Sequence, residues 1–429
     1  MLIRPIFVFH YLPTGTYALN VLIGVLEASG LDEHIDIRVT KKLDELLSEI
    51  ENGIANSRPV YVFWSFFSAA FLEAQETLTR VRSQLPSNLV VHTAGGVHAS
   101  AEPLQTAAAG FDYVAIGEGE RTILDFAIAI LRNEDLRQVP GLAQQHDGTL
   151  RAGSPAIRVS LDDYPPFAVK HRRFNPIEIT RGCIYACKFC QTPFMFKARF
   201  RHRSVENVCH HVYEMKARNL RDIRFITPTS LSYGSQDESV RLDAIEELLG
   251  KIRSIVGSSG RIFFGSFPSE VRPEHVTPET MSVLKKYVDN DNIIIGGQSG
   301  SLKVLDQSKR GHGVEEIERA VKYAVEAGFK PYVDFIFGLP GEAERDAALS
   351  LKFAQRLAEM GAKVHAHTFM PLPGTPFKNE NPGRISGKTR LAMERMTSKG
   401  GLYGNWRAQQ STAVSLASLM RRSDETRQD

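Results

Sequence analysis

Tryptophan and cysteine are the scarcest residues in this 429-residue chain, with two and four copies. Three of the four cysteines fall within eight residues, which excludes the spread-out disulfide framework of a small secreted domain. Long apolar runs are also missing. Tyr61 to Phe67 and Ile293 to Gly297 are strand length, well short of the roughly 20 residues a membrane helix needs, so no membrane partner is expected. Charge of one sign is nearly absent in excess: the net charge is +3, too little to attract a polyelectrolyte, and a nucleic-acid partner is not expected. The only basic clusters flank the cysteines, at Lys170 to Arg173 and at Lys197, Arg199, Arg201, His202 and Arg203. The first residues, Met1-Leu2-Ile3-Arg4, lead into His10, Pro13 and Asn20 without a small-residue cleavage site. No signal peptide is read there, and a reducing cytoplasm is the expected compartment.

What is present is the composition of a globular protein, 42% hydrophobic and 24% charged, with two α/β series. In the first, short β-rich stretches at Pro5 to Phe9, Ile35 to Val39, Val60 to Trp64, Val90 to Ala94 and Tyr113 to Ile116 alternate with helical ones. Parallel strands need crossover helices, so this order predicts a five-stranded parallel, Rossmann-like domain over residues 1–138. Ligands of such sheets sit at the strands' carboxyl ends, where Gly95-Gly96 and Gly117-Glu118-Gly119 lie. Residues 139–173 break the rhythm with a hairpin turn signal at Asp147-Gly148 and a stiff Asp162-Asp163-Tyr164-Pro165-Pro166, and are expected to be a linker.

The second series, residues 174–376, has six β-rich stretches between Ile177 and Phe369 with helices between them. It predicts a partial (β/α)6 barrel whose chemistry lies at the carboxyl ends of the strands. Residues 377–429 are expected to form a carboxyl-terminal extension ending in a frayed tail from Arg421. Directly after the first barrel strand stands Cys183-Ile184-Tyr185-Ala186-Cys187-Lys188-Phe189-Cys190, three thiols on a loop that begins with Gly182. A tetranuclear iron–sulfur cluster has four ligand positions, so three cysteines leave one iron open. Cys209 is predicted on a helix, as a buried apolar residue rather than a ligand. A zinc knuckle would want a fourth nearby ligand.

The C-x3-C-x2-C spacing resembles the radical S-adenosylmethionine (radical SAM) superfamily. Gly297-Gln298-Ser299-Gly300, Lys309-Arg310-Gly311-His312, Phe337-Gly338-Leu339-Pro340-Gly341-Glu342 and Pro371-Leu372-Pro373-Gly374-Thr375-Pro376 look like members with an elongator-type barrel. The resemblance implies a [4Fe–4S] cluster on Cys183, Cys187 and Cys190, with S-adenosylmethionine on the open iron. Reductive cleavage would then yield a 5′-deoxyadenosyl radical. By the same analogy Phe189 packs near the adenine, Ser266, Glu270 and Arg272 are polar contacts to the methionine or ribose, and Gly338, Leu339, Pro340 and Gly341 help form the pocket. One departure stands out: the family's Gly-Gly-Glu after the second strand is replaced by Thr227-Pro228-Thr229-Ser230.

The amino-terminal series is similar to the cobalamin-binding domain of cobalamin-dependent radical SAM proteins, and the likeness extends over about residues 1–375. It implies cobalamin near Ser65, Gly95, Gly96, Gly117 and Glu118. His10 lacks the Asp-x-His-x-x-Gly setting of an axial ligand and is not expected on cobalt. Gly400 to Trp406 looks like an archaeal-type set of such proteins with unassigned substrate, in which Tyr403 and Trp406 either cap the barrel mouth or pack on its wall. The implied reaction is C-methylation of an unidentified small molecule or protein side chain, with a reductase, ferredoxin or flavodoxin as electron donor. A non-methylating rearrangement and a methylthiolation-like reaction are alternatives, and a cluster-and-cobalamin sensor or electron carrier is the reading from another class.

Overall fold

The structure is a computed structural model that describes residues 4–85 and 89–425, with side chains at the carboxyl end described to Arg421. It divides into two compact units, Met1–Asn175 and Pro176–Asp429.

In the first unit, Ile6–His10 (β1), Asp36–Thr40 (β2), Val60–Ser65 (β3), Val90–Gly95 (β4) and Tyr113–Ala115 (β5) pair in parallel in the order β2-β1-β3-β4-β5. Helices cover both faces, which is why β1 is buried at all five positions. Phe7, Phe9, Phe63 and Phe126 pack there with ring centroids 5.0–5.9 Å apart, each contributing about 1.5–3 kcal/mol by burial. The strand order reverses between β1 and β3, so the crevice of this sheet opens at their carboxyl ends, beside Ser65.

The five expected strands are extended by two more. Leu142–His146 (β6) adds antiparallel to β5 and Thr149–Ala152 (β7) antiparallel to β6, the chain turning at Asp147 (φ 49°) and Gly148 (φ 75°), the backbone of a type I′ hairpin. The rest of the expected linker is packed too. Glu27, on the helix Thr16–Ala28, accepts the backbone amides of Lys170 at 3.0 Å and His171 at 2.7 Å. Asn175 donates to the Tyr17 and Pro166 carbonyls, and Phe167 is fully buried. Residues 139–173 are therefore part of this unit's core and edge, because their polar backbone finds partners on its first helix.

The second unit is a parallel half-barrel. Ile177–Glu178 (β8), Asp222–Ile226 (β11) and Arg261–Phe263 (β12) form one sheet. Asn292–Gln298 (β13), Lys330–Phe337 (β14), Lys363–Thr368 (β15) and Leu402–Tyr403 (β16) form the next. Thr180–Arg181 (β9) and Arg201–His202 (β10) make a short antiparallel clip at the mouth. Beyond β12 the backbone continues the ladder, with Ile294 donating to Gly265 and Val271 to Ile294, both at 2.8 Å. The third barrel strand, expected from sequence over Arg261 to Phe267, is shorter because Gly265, at φ 70°, turns it. Strand β14 shows the barrel's alternation: Val333, Phe335 and Phe337 are buried toward the helices, while Tyr332, Asp334 and Ile336 are half-buried on the inner face.

The carboxyl-terminal extension is structural. It supplies β16 and the helix Trp406–Glu425, so the expected frayed tail is helical through Glu425; 426–429 lie outside the described residues. Among the described residues no helix is long and apolar enough to cross a membrane.

Candidate functional site

Strand β8 delivers the chain to the barrel's mouth, and the cysteine loop follows it at once. Cys183, Cys187 and Cys190 fall in one cluster with Tyr185, Phe189 and Phe200. Cys209 lies elsewhere, buried on the helix Val205–Ala217. The loop is held by its flanks. Gly182, at φ 83°, passes so close to Arg199 that a Cβ would stand 2.0 Å from its carbonyl oxygen; this glycine serves a backbone crossing rather than an approach to ligand. The Tyr185 ring carries the Arg272 guanidinium 3.5 Å above its centroid, and its hydroxyl lies 3.1 Å from His275 Nε2. Lys188 donates its amide to the Ser308 carbonyl at 3.0 Å.

The residue that most shapes this loop is Arg310, buried to 4% exposure. Its Nη1 donates to Cys187 Sγ at 3.4 Å, and Nη2 donates to the Gly296 carbonyl at 2.7 Å while lying 3.8 Å from Glu270 Oε1. Burial pushes the Cys183 thiol up to about 12 and the Cys190 thiol upward. Positive charge nearby favours thiolate in such a loop, and Arg310 is a fixed one. Loss of solvent likewise raises Glu270 to about 7, against the pull of Arg310. The sequence quoted Arg310 within a motif without assigning it a role.

Past the carboxyl ends of β11 and β12, buried hydroxyls among the described residues have no hydrogen-bond partner: Thr229 Oγ1, Ser230 Oγ and Ser232 Oγ after β11, and Ser266 Oγ after β12. A buried polar atom left unpaired costs about 1–3 kcal/mol, which suits a site built to receive a polar ligand. Ser230 is tied to the opposite bank, its amide donating to the Glu270 carbonyl at 2.8 Å. Thr229 and Ser230 occupy the place where the Gly-Gly-Glu was missing; hydroxyls of this kind suit the polar groups of S-adenosylmethionine, and the three cysteines suit a cluster.

The other expected contacts are distributed unevenly. Phe189 packs against both the cysteine cluster and a group of Val304, Leu339, Phe369 and Phe377, so it and Leu339 form one apolar wall. Arg272, 2% exposed, is spent on the loop: it donates to Glu274 and, at 2.6 Å, to the Arg310 carbonyl, leaving only Nη1 unpaired. Gly338 does not leave room for a ligand. At φ 77° its Cβ would meet Gly383 Cα at 2.7 Å and Arg384 N at 2.8 Å, and its amide donates to Glu342. Gly341 is filled by Gln307, and Pro340 links the two turns. Gly338→Val is accordingly expected to lower unfolding stability by about 2–4 kcal/mol, read as an earlier urea midpoint.

In the first unit Ser65, Gly95, Gly96, Gly117 and Glu118 end strands β3 to β5 along one sheet edge. Gly96, at φ 92°, is needed because a Cβ would lie 2.8 Å from Ser65 Oγ. Glu118 Oε2 accepts the Val159 amide at 3.5 Å, and Gly117 donates to Ser100 Oγ at 2.9 Å. His10 is 2% exposed between Thr40 Oγ1 and the Trp64 ring, and burial lowers it to about 4; it belongs to the core. Trp406, 1% exposed, packs on the wall and does not cap the mouth, while Tyr403 stacks on His365 with centroids 4.5 Å apart. The basic cluster is largely consumed internally: Arg203 is buried against the Glu178 carbonyl and Asn207, and Lys170 pairs with Asp32.

Sequence reading missed one group altogether. Asp334 on β14 and His365 and His367 on β15 bring Oδ1, Nδ1 and Nε2 together on the inner face of the barrel.

Comparison places this geometry among known proteins. Residues 177–354 match the Radical SAM superfamily. The chain is 28% identical over 345 residues, 79% of its length, to a provisionally named methylthiotransferase of Methanocaldococcus jannaschii, covering 71% of that protein. It is 25% identical over 369 residues to an uncharacterized methyltransferase of Pyrococcus horikoshii, 81% of this chain and 75% of that one. In fold it is similar to the radical S-adenosylmethionine methyltransferase TsrM of Kitasatospora setae, solved with cobalamin and a [4Fe–4S] cluster. That match has a TM-score of 0.68 and 18% identity, over 88% of this chain and 74% of that chain. The cobalamin-dependent radical enzyme OxsB, solved with aqua-cobalamin, matches with a TM-score of 0.65 at 16% identity, over 83% and 52%.

Proposed function

We propose, from the premise that this chain is a radical SAM protein built on the fold of cobalamin-dependent members, that it C-methylates an unactivated carbon of a substrate held in the barrel. The observation that carries the reading is the grouping of Cys183, Cys187 and Cys190 on one loop, with Arg310 donating to Cys187, in a barrel whose strands β11 and β12 lead into buried, unpaired hydroxyls. When bound, the cluster and S-adenosylmethionine supply one-electron cleavage of a carbon–sulfur bond, and cobalamin supplies a transferable methyl group.

The chain's own residues bind and orient. The three cysteines hold the cluster, and Arg310 fixes Cys187 and balances thiolate charge. Ser266, Thr229 and Ser230 offer hydrogen bonds to the polar groups of S-adenosylmethionine, and Phe189 with Leu339 excludes water from its apolar side. Ser65, Gly95, Gly96, Gly117 and Glu118 are the proposed edge for cobalamin, with His10 withheld from the cobalt by its burial. A small molecule or protein side chain is the substrate class, and a ferredoxin, flavodoxin or reductase in a reducing cytoplasm the electron source. Methyl transfer is favoured over methylthiolation by sulfur supply: residues 1–182 contain no cysteine on which to carry a second sulfur source.

The test is anaerobic reconstitution with iron, sulfide and cobalamin, followed by reductant and S-adenosylmethionine. Methyl transfer predicts both 5′-deoxyadenosine and S-adenosylhomocysteine. A rearrangement predicts the first alone, and a sensor or electron carrier neither; either of these patterns overturns the proposal.

A further inference from the structure

The inner face of β14 and β15 carries a second set of converging donors. Asp334 and His365 are register partners on adjacent strands, and His367 is two residues on, so all three point the same way. His365 Nδ1 lies 3.0 Å from Asp334 Oδ1 and 3.1 Å from His367 Nε2, and the last two are 3.9 Å apart. All three side chains are partly buried, between 18% and 30% exposed.

His365 Nδ1 and His367 Nε2 both lie within 4 Å of Asp334 Oδ1, so the three atoms face one point. The Thr368 amide donates to Gln409 Oε1 at 3.0 Å, which turns Gln409 Nε2 toward His367 Nδ1 at 3.1 Å. A neutral His367 then carries its proton on Nε2, aimed at His365 Nδ1. A cation between the three atoms would take the Nδ1 lone pair of His365, the Nε2 lone pair of His367 and one carboxylate oxygen of Asp334. With metal–ligand bonds of about 2.1 Å, the three separations correspond to angles of about 90–135° at the ion, an open cap of two imidazoles and one carboxylate.

We propose that Asp334, His365 and His367 bind a divalent transition-metal ion, separate from the cysteine cluster, with its open positions directed into the barrel. Imidazole and carboxylate donors in this ratio suit zinc or ferrous iron better than magnesium or calcium, which want oxygen throughout. The floor of the site is Tyr403, stacked on His365. A substrate heteroatom would complete the ion's shell; that role rests on the reading proposed above, whereas the metal site does not.

Binding through His367 Nε2 moves the imidazole proton to Nδ1, where it needs an acceptor. Gln409→Glu supplies one oxygen to Nδ1 while keeping the other for the Thr368 amide, the arrangement that raises a metal-bound imidazole's basicity.

The test equilibrates the cluster-loaded full chain with zinc, removes free metal, and quantifies zinc and iron together. One zinc per chain is expected in the parent with its iron unchanged. Affinity is expected to fall by roughly 10–100-fold or more in His365→Ala and His367→Ala, and to rise in Gln409→Glu. Iron content and circular dichroism report whether each variant is folded. No zinc in the parent, or zinc held equally by folded His365→Ala and His367→Ala, overturns the site. The methyl-transfer reading fails on different evidence, the identity of the nucleoside products.

Discussion

Cys183→Ala, Cys187→Ala and Cys190→Ala are each expected to empty the cluster site and reduce S-adenosylmethionine cleavage to background, whereas Cys209→Ala keeps both. Under the proposed ligation each thiol would fill its own position, and the cluster of residues around them contains no other cysteine to substitute. Iron and sulfide content, with the absorbance of the reconstituted chains, reads the outcome. Cluster retention in Cys187→Ala together with loss in Cys209→Ala would mean that the ligands lie elsewhere. The variants should fold, because a cysteine-to-alanine change removes one atom from a pocket whose support comes from Tyr185, Arg272 and Lys188.

The second large effect is expected at Arg310. Its replacement by alanine strips the Gly296 carbonyl and Cys187 of their donor and leaves Glu270 without its counter-charge. The lost contacts belong to a guanidinium only 4% exposed, and a hydrogen bond to a charged group contributes about 1.5–3 kcal/mol, so Arg310→Ala should melt below the parent and load less iron. Lysine should rescue poorly, since one ammonium does not reproduce the fork that meets Gly296 and Cys187 together. The pH dependence has a definite sign. Glu270 is raised to about 7 in the folded chain, so the native state holds its proton more tightly than the unfolded state, and the stability linked to it declines as pH rises from about 4.5 toward 7. Without Arg310 the carboxyl climbs further, and the variant's deficit should be larger at pH 8 than at pH 6. Adding Glu270→Gln to Arg310→Ala should recover part of the loss at pH 8, as a thermal-unfolding double-mutant cycle would reveal.

Much of the architecture was readable from period and punctuation. The central strands β1 and β3 of the first unit are nearly continuous apolar runs because both faces of the sheet are covered, and the barrel strands recur between amphipathic helices. The hairpin Leu142–Ala152 was visible only through its turn: β7 is mostly exposed and shows no alternation to read. Strand β16 is two residues long, too short for any period. At the site, the cysteines are local in sequence and so were found together. Asp334 and His365 are 31 residues apart and meet only through strand register, which no local pattern encodes. Gly338 was misread for a related reason: what fills the space beside it is the backbone of Gly383 and Arg384, a segment 45 residues downstream. A glycine announces a close approach without naming its partner.

Strand β16 has a consequence for how the molecule is made. It pairs with β15 through Val364 and His365, and the helix that follows contributes Trp406 and Gln409 to the same strand through Thr368. While the ribosome has yet to release residues 402 onward, β15 presents a bare parallel edge, the kind that recruits other chains. The barrel therefore passes through a stage of synthesis in which all its cofactor-site segments exist but its border is open. A nascent chain paused there is the form most exposed to aggregation and most in need of a chaperone, and a barrel cut back to Pro376 would be trapped in that state permanently.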